Sequence, residues 1–150
     1  MTDRYSGVAI ALHWIIALMI MLNFVLAWIS EDLPKEDRSV MIGNHKAIGI
    51  TILVLTVARI VWRLMHKAPP LIETLKAWEA ALARVTHAGF YFLMLAVPLS
   101  GWGLSSAFSK GKPVSLFGLF DVPALPVGAD EPTVDMFHEL HEVFAFAMIG

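Results

Sequence analysis

The side chains with the widest chemical scope in this chain are its six histidines, His13, His45, His66, His87, His138 and His141, together with Arg59, which sits inside an apolar run. Neutral imidazole can ligate a metal or carry a proton. The chain has no cysteine, which removes disulfides, thiolate-held iron–sulfur clusters and covalent C-x-x-C-H attachment of a porphyrin. Any iron centre must therefore be held without a covalent link, by histidine or methionine. His138-Glu139-Leu140-His141 invites a zinc reading, but the helical zinc motif needs its histidines at i and i+4, and here they stand at i and i+3.

Whether these imidazoles can act together depends on the elements that carry them. Hydrophobic residues make up 57% of the 150, and charged residues 16%, a balance too oily for an ordinary soluble domain and suited to lipid. The net charge of -2, with no block of like charges, leaves no electrostatic footprint for nucleic acid. A hydrocarbon core of about 30 Å requires about 20 mostly apolar helical residues. Three segments meet that requirement, at about 8–29, 41–62 and 85–104, and a fourth at about 136–150 begins near Met136 and is incomplete. The first ends without an A-x-A-like cleavage pattern and reads as a retained transmembrane helix. The expected fold is all-α: one domain over 1–150, a transmembrane four-helix bundle with its fourth helix truncated. Val143–Ile149 is too short to cross a bilayer, and a helix stopping in mid-membrane strands its last carbonyls, so the expectation is a fragment of a longer protein.

Three connections join these helices. Ser30 to Arg38 reads as a short charged turn between antiparallel neighbours. The second, about 63–84, contains Pro69-Pro70 and then an amphipathic stretch, Leu71 to Ala83, expected to lie along the interface. The third is the longest, and its Phe and Leu residues between Pro113 and Phe120 predict a cap folded over the helix ends. Near the helix ends, Arg4, Arg63, Lys67, Lys76 and Arg84 narrowly outweigh Lys35, Arg38, Lys110 and Lys112 on the other side. Positive charge favours the cytoplasmic face, which puts the N-terminus in the cytoplasm.

This topology sets the depths of the histidines. His45, at the start of the second helix, and His141, at the entrance of the fourth, share one depth on the outer side, the arrangement that two axial ligands of one haem iron require. His13 lies near the opposite end; a partner at its depth on the fourth helix would fall roughly 14 residues, or ~21 Å, beyond His141. Arg59 lies on nearly the same helix face as His45 and about four turns deeper. A charge there calls for an anionic partner such as a haem propionate, unless it snorkels to the interface beside Arg63. His87, at about the depth of His13, could be an alternative ligand or a proton and hydrogen-bond partner for a quinone. His66 and His138 read as interfacial or surface neighbours. Gly49, Gly101 and Gly103 permit close approach of a macrocycle or simply of another helix.

The chain resembles the prokaryotic cytochrome b561 family. The matching residues are Arg4-Tyr5-Ser6 leading to Leu12-His13-Trp14, Asn44-His45-Lys46, Arg59 with Arg63 before Pro69-Pro70, His87 before Tyr91, Pro98-Leu99-Ser100-Gly101-Trp102, and His141-Glu142. The resemblance implies a multi-pass protein of the bacterial inner membrane with two b haems. The outer haem would be ligated by His45 and His141, and the inner by His13 and a fourth-helix histidine that these residues do not include. It also implies an oxidoreductase that passes electrons between a periplasmic-side donor, a small molecule such as superoxide or a protein, and the membrane quinone pool. The cofactor-binding residues expected are His13, His45, His141, Arg59 and His87. Two other readings remain at this point: a haem-bearing anchor subunit of a multi-subunit dehydrogenase or hydrogenase, and a histidine-lined proton or metal carrier without haem.

Overall fold

A computed structural model of the chain describes residues 6–66 and 73–150. In chain order its elements are α1 (Gly7–Ser30), α2 (Lys35–Met65), α3 (Ala77–Phe108), a hairpin of β1 (Val114–Leu116) and β2 (Phe120–Val122), and α4 (Glu131–Ile149). Among the described residues, α1, α2 and α3 are long and apolar enough to cross a membrane. Arg4, Tyr5, Lys67, Pro69, Pro70 and Leu71, which entered the sequence reading, lie outside the described residues.

The helices run beyond the expected spans because hydropathy marks the edge of the lipid, whereas capping chemistry marks the end of a helix. Ser6 starts α1 by accepting the Ala9 N–H on its hydroxyl at 3.1 Å. After Ser30 only residues 31–34 turn the chain, and α2 begins at Lys35, with Glu36 and Asp37 in its first turn, where the helix dipole favours anions. At α3 the Glu79 carboxylate accepts the Lys76 N–H at 2.8 Å, which fixes the start at Ala77. Residues 77–83 are thus the first turns of α3, not a separate helix along the interface. The fourth helix starts at Glu131, five residues before the expected Met136, because Asp130 caps it and Pro132 follows in the first turn. Asp130 accepts from the Thr133 hydroxyl at 2.7 Å and the Thr133 N–H at 3.3 Å, and these bonds, the hydroxyl's foremost, hold its carboxyl below the usual carboxylate range.

Packing follows chain order: α1 lies on α2, α2 on α3 and α3 on α4. The ring closes where Phe24 of α1 meets Phe146 of α4 edge-on, their centroids 6.2 Å apart. The pairs α1/α3 and α2/α4 therefore lie on the diagonals of the bundle. Its core is small, with Ile16, Ile52 and Met94 buried and Met19, Ile20, Ile48, Leu55 and Met148 packed against them, so that every helix contributes. Large apolar side chains such as Leu18, Val54, Val61 and Phe92 point outward, as required where the solvent is lipid.

The expected cap is the hairpin. Its strands pair antiparallel in the register Val114↔Val122, Ser115↔Asp121 and Leu116↔Phe120. β1 packs on α2, the Leu125 N–H donates to Ser106 Oγ at 2.9 Å, and the Trp102 indole N–H donates to the Pro123 carbonyl at 3.1 Å. The connection is thereby tied across the ends of α2 and α3. Residues 117–119 connect the strands; Phe117 and Gly118 have positive φ, 56° and 75°, and the Leu119 N–H closes the turn on the Leu116 carbonyl at 3.0 Å.

Candidate haem site

At the hairpin end of the bundle, His45 of α2 and His141 of α4 face each other, ring centroids 6.1 Å apart and planes at 80°. They come from diagonal helices, so no extended packing face between α2 and α4 fills the space between them. Each imidazole is half-buried and tied at Nδ1 to a backbone carbonyl of the neighbouring helix. His45 Nδ1 lies 3.0 Å from the Asn23 carbonyl of α1, and His141 Nδ1 lies 2.9 Å from the Val97 carbonyl of α3. A carbonyl only accepts, so each Nδ1 carries the proton, and each Nε2 is left with its lone pair free.

This is the donor set that an iron porphyrin with two axial imidazoles needs. With their centroids 6.1 Å apart and each Nδ1 committed to a carbonyl, the two rings could hold an iron porphyrin through Nε2. Hydrogen bonding at the far nitrogen is also the usual way in which a ligating histidine is oriented and its basicity set.

The supporting residues explain several sequence features. Asn23 is 7% exposed, and its amide Nδ2 donates to the His45 carbonyl at 3.1 Å while its own carbonyl takes the His45 Nδ1 proton. On the α4 side, Ser100 donates its hydroxyl to the Val97 carbonyl at 2.8 Å and lies 3.2 Å from His141 Nδ1. Pro98, inside α3, has no N–H for the Met94 carbonyl, which loosens the helix at this point. A Cβ on Gly101 would come within 2.8 Å of His141 Cε1, and one on Gly103 within 2.4 Å of the Phe137 ring. Gly101 is therefore the space that the His141 ring occupies, while Gly103 serves helix packing.

The other histidines are placed differently. His13 and His87 are exposed, on α1 and α3 at the far end of the bundle, and no ring contact or hydrogen bond joins them among the described residues. His13 meets only Trp14 edge-on, at 5.4 Å. His66 stacks on Trp62 at 3.9 Å, and His138 lies 3.9 Å from Glu142 on the surface. No group of three metal-binding side chains of the zinc type occurs among the described residues.

Arg59 and Arg63 share one aromatic partner on α3. The Arg59 guanidinium lies over the Tyr91 ring at 5.3 Å, a cation–π contact. Arg63 shares the same ring at 5.3 Å and donates to the Tyr91 hydroxyl at 3.0 Å. Tyr91 thus gathers both cations at the end of the bundle opposite His45. Sequence reasoning missed the role of Asn23, although an amide in the middle of an apolar span is a signal in itself.

Membrane-length helices that bring two pinned imidazoles within 6.1 Å of each other suit a membrane b-type cytochrome. The family model for prokaryotic cytochrome b561 matches residues 4–150. Among curated relatives, the chain is 31% identical over 149 residues to cytochrome b561 homolog 2 of Escherichia coli (strain K12), covering 98% of this chain and 78% of that protein. It is 29% identical over 155 residues to a protein of Yersinia pestis named probable superoxide oxidase CybB, covering 100% and 85%. With cytochrome b561 homolog 1 of E. coli the identity is 26% over 145 residues, covering 95% and 80%. The chain belongs to the prokaryotic cytochrome b561 family, and with it to the haem-b-binding membrane proteins of bacteria.

Proposed function

We propose that His45 and His141 hold one b haem at the hairpin end of the bundle, and that the protein carries electrons between a donor on that side and quinone near the opposite end. The observation that carries this reading is the facing imidazole pair, each with Nδ1 committed to a backbone carbonyl. When bound, the haem supplies a reversible one-electron carrier in a low-dielectric setting. The chain's own residues do the rest. Asn23 and Ser100 orient the imidazoles, Gly101 leaves room for His141, and the lipid-facing shell of the bundle excludes water.

At the opposite end, Arg59 and Arg63 hold two positive charges on the Tyr91 ring and hydroxyl, beside a membrane-spanning face where a quinone head group can enter. Cations and a phenol there favour the oxygens of a reduced quinone. Quinone reduction takes up two protons with two electrons, and His13 and His87, exposed at that end, are suited to supply them. His13 is also the candidate ligand of a second, inner haem, as the family pattern implies. Helical spans suit the inner membrane, since outer-membrane proteins cross as barrels, and the basic residues near Arg63 favour a cytoplasmic N-terminus.

The name of the Yersinia relative makes superoxide the first donor to try. The test is stopped-flow reduction of the purified, oxidised protein by a superoxide flux, followed by quinone addition. Haem reduction by superoxide and its reoxidation by quinone support the reading. A protein that reacts with neither, and purifies with a dehydrogenase or hydrogenase subunit, contradicts it.

A further inference from the structure

The chain has a second shaped feature, apart from the imidazole pair and from the Tyr91 cluster. A groove of ≈ 660 Å³ opens at the hairpin end, between the first turns of α2, the last turns of α3 and the hairpin. Its walls have two characters. One wall carries Lys35, Arg38 and Lys46 of α2, and no carboxylate lines the groove. The rest is largely apolar, with Ile42 of α2 and Phe108, Val114 and Phe117 opposite, interspersed with Ser105, Ser109 and Ser115.

The first turn of α2 begins at Lys35. Glu36 and Asp37 lie in the same turn but do not line the groove. The apolar wall is unusually open for aromatic side chains. Phe108 is 72% exposed, and Leu119, at the hairpin tip beside Phe117, is 79% exposed. Phe117 also holds a positive φ of 56°, which a bulky residue rarely adopts.

We propose that this groove binds one anionic phospholipid, its phosphodiester against Lys35, Arg38 and Lys46 and an acyl chain along Ile42, Phe108, Val114 and Phe117. The occupant follows from position and charge. The groove lies at the ends of two membrane-length helices, where lipid is the available ligand, and a concentrated positive wall beside an apolar one matches an anionic head group with a chain attached. A soluble anion would use only the first wall, and a neutral lipid only the second. Bound there, the lipid ties the hairpin to α2.

The test is native mass spectrometry of the haem-loaded protein in a neutral detergent, titrated with phosphatidylglycerol, phosphatidylcholine or inorganic phosphate. One phosphatidylglycerol should be retained in preference to phosphatidylcholine. The variant K35Q/R38Q should weaken phosphatidylglycerol binding by roughly fivefold for each cation removed, with the haem spectrum unchanged. Should the double variant load less haem, R38Q alone is expected to show the single step. F117S should weaken phosphatidylglycerol while leaving any binding of inorganic phosphate as it was. Equal retention of the two lipids overturns the proposal, as does phosphatidylglycerol binding indifferent to the cations. Phosphate competing as well as the lipid does would mean a simple anion site and overturns it too.

Discussion

Asn23 and His45 exchange two hydrogen bonds across the interface of α1 and α2: the Asn23 amide donates to the His45 carbonyl at 3.1 Å, and the His45 ring donates from Nδ1 to the Asn23 carbonyl at 3.0 Å. The pair fixes both the register of the two helices and the tautomer of the imidazole. Asn23 Oδ1 is buried without a hydrogen-bond partner, so the amide is held for its donor. In an apolar span such a group is retained for what it positions.

Replacing Asn23 by Ala removes one of the two bonds but keeps the backbone carbonyl that takes the His45 proton. A single neutral hydrogen bond contributes about 0.5–1.5 kcal/mol net. Asn23→Ala is therefore expected to retain haem but to release it several-fold faster to apomyoglobin, measured by the shift of the Soret band. Unchanged release would show that the amide does not support His45.

Gly101 gives a steric test of the other imidazole. A methyl group at this position would stand 2.8 Å from His141 Cε1, whereas at Gly49 it would meet only Asn23 Nδ2, at an ordinary 3.8 Å. Overpacking of this kind costs about 1–3 kcal/mol. Gly101→Ala should lower haem occupancy or shift the haem potential, while Gly49→Ala should match the parent protein in both. Equal behaviour of the two variants, read by redox titration, would contradict the placement of His141.

The cap on α4 gives a pH test. The Asp130 carboxyl is held below its ordinary value of 3.8, foremost by the Thr133 hydroxyl. A carboxyl whose folded pKa is depressed stabilises the fold above its unfolded pKa, and that contribution is lost as pH falls through the folded value. Thermal release of haem from the parent protein should therefore become easier below about pH 3.8 by more than it does in Asp130→Asn, which keeps a cap without the titration. Parallel acid profiles of the two proteins would show that Asp130 does not anchor α4.

Much of this was legible in the residues. The spans were visible because lipid demands long apolar runs, and the shared depth of His45 and His141 followed from alternating helix direction. The true helix ends were less visible, because Lys35–Val40 is too polar for the membrane yet helical, and the start of α3 is set by the Lys76–Glu79 cap and not by hydropathy. The start of α4 was written plainly in Asp130-Glu131-Pro132-Thr133, a cap followed by proline, but hydropathy alone passed over it. Arg59 shows the limit of reasoning from charge. A cation in an apolar span needs stabilisation, but the sequence does not show that the face of Tyr91, on the neighbouring α3, contributes to it. The supporting hydrogen bonds from His45 and His141 go to backbone carbonyls, which every residue carries, so no side-chain pattern could have announced them.

The most direct measurement is a pyridine haemochrome count per chain for the parent protein and for His45→Ala and His141→Ala. If these two imidazoles share one iron, each variant should lose the same single haem, and His138→Ala should lose none. Full haem content in both His45→Ala and His141→Ala would contradict the account.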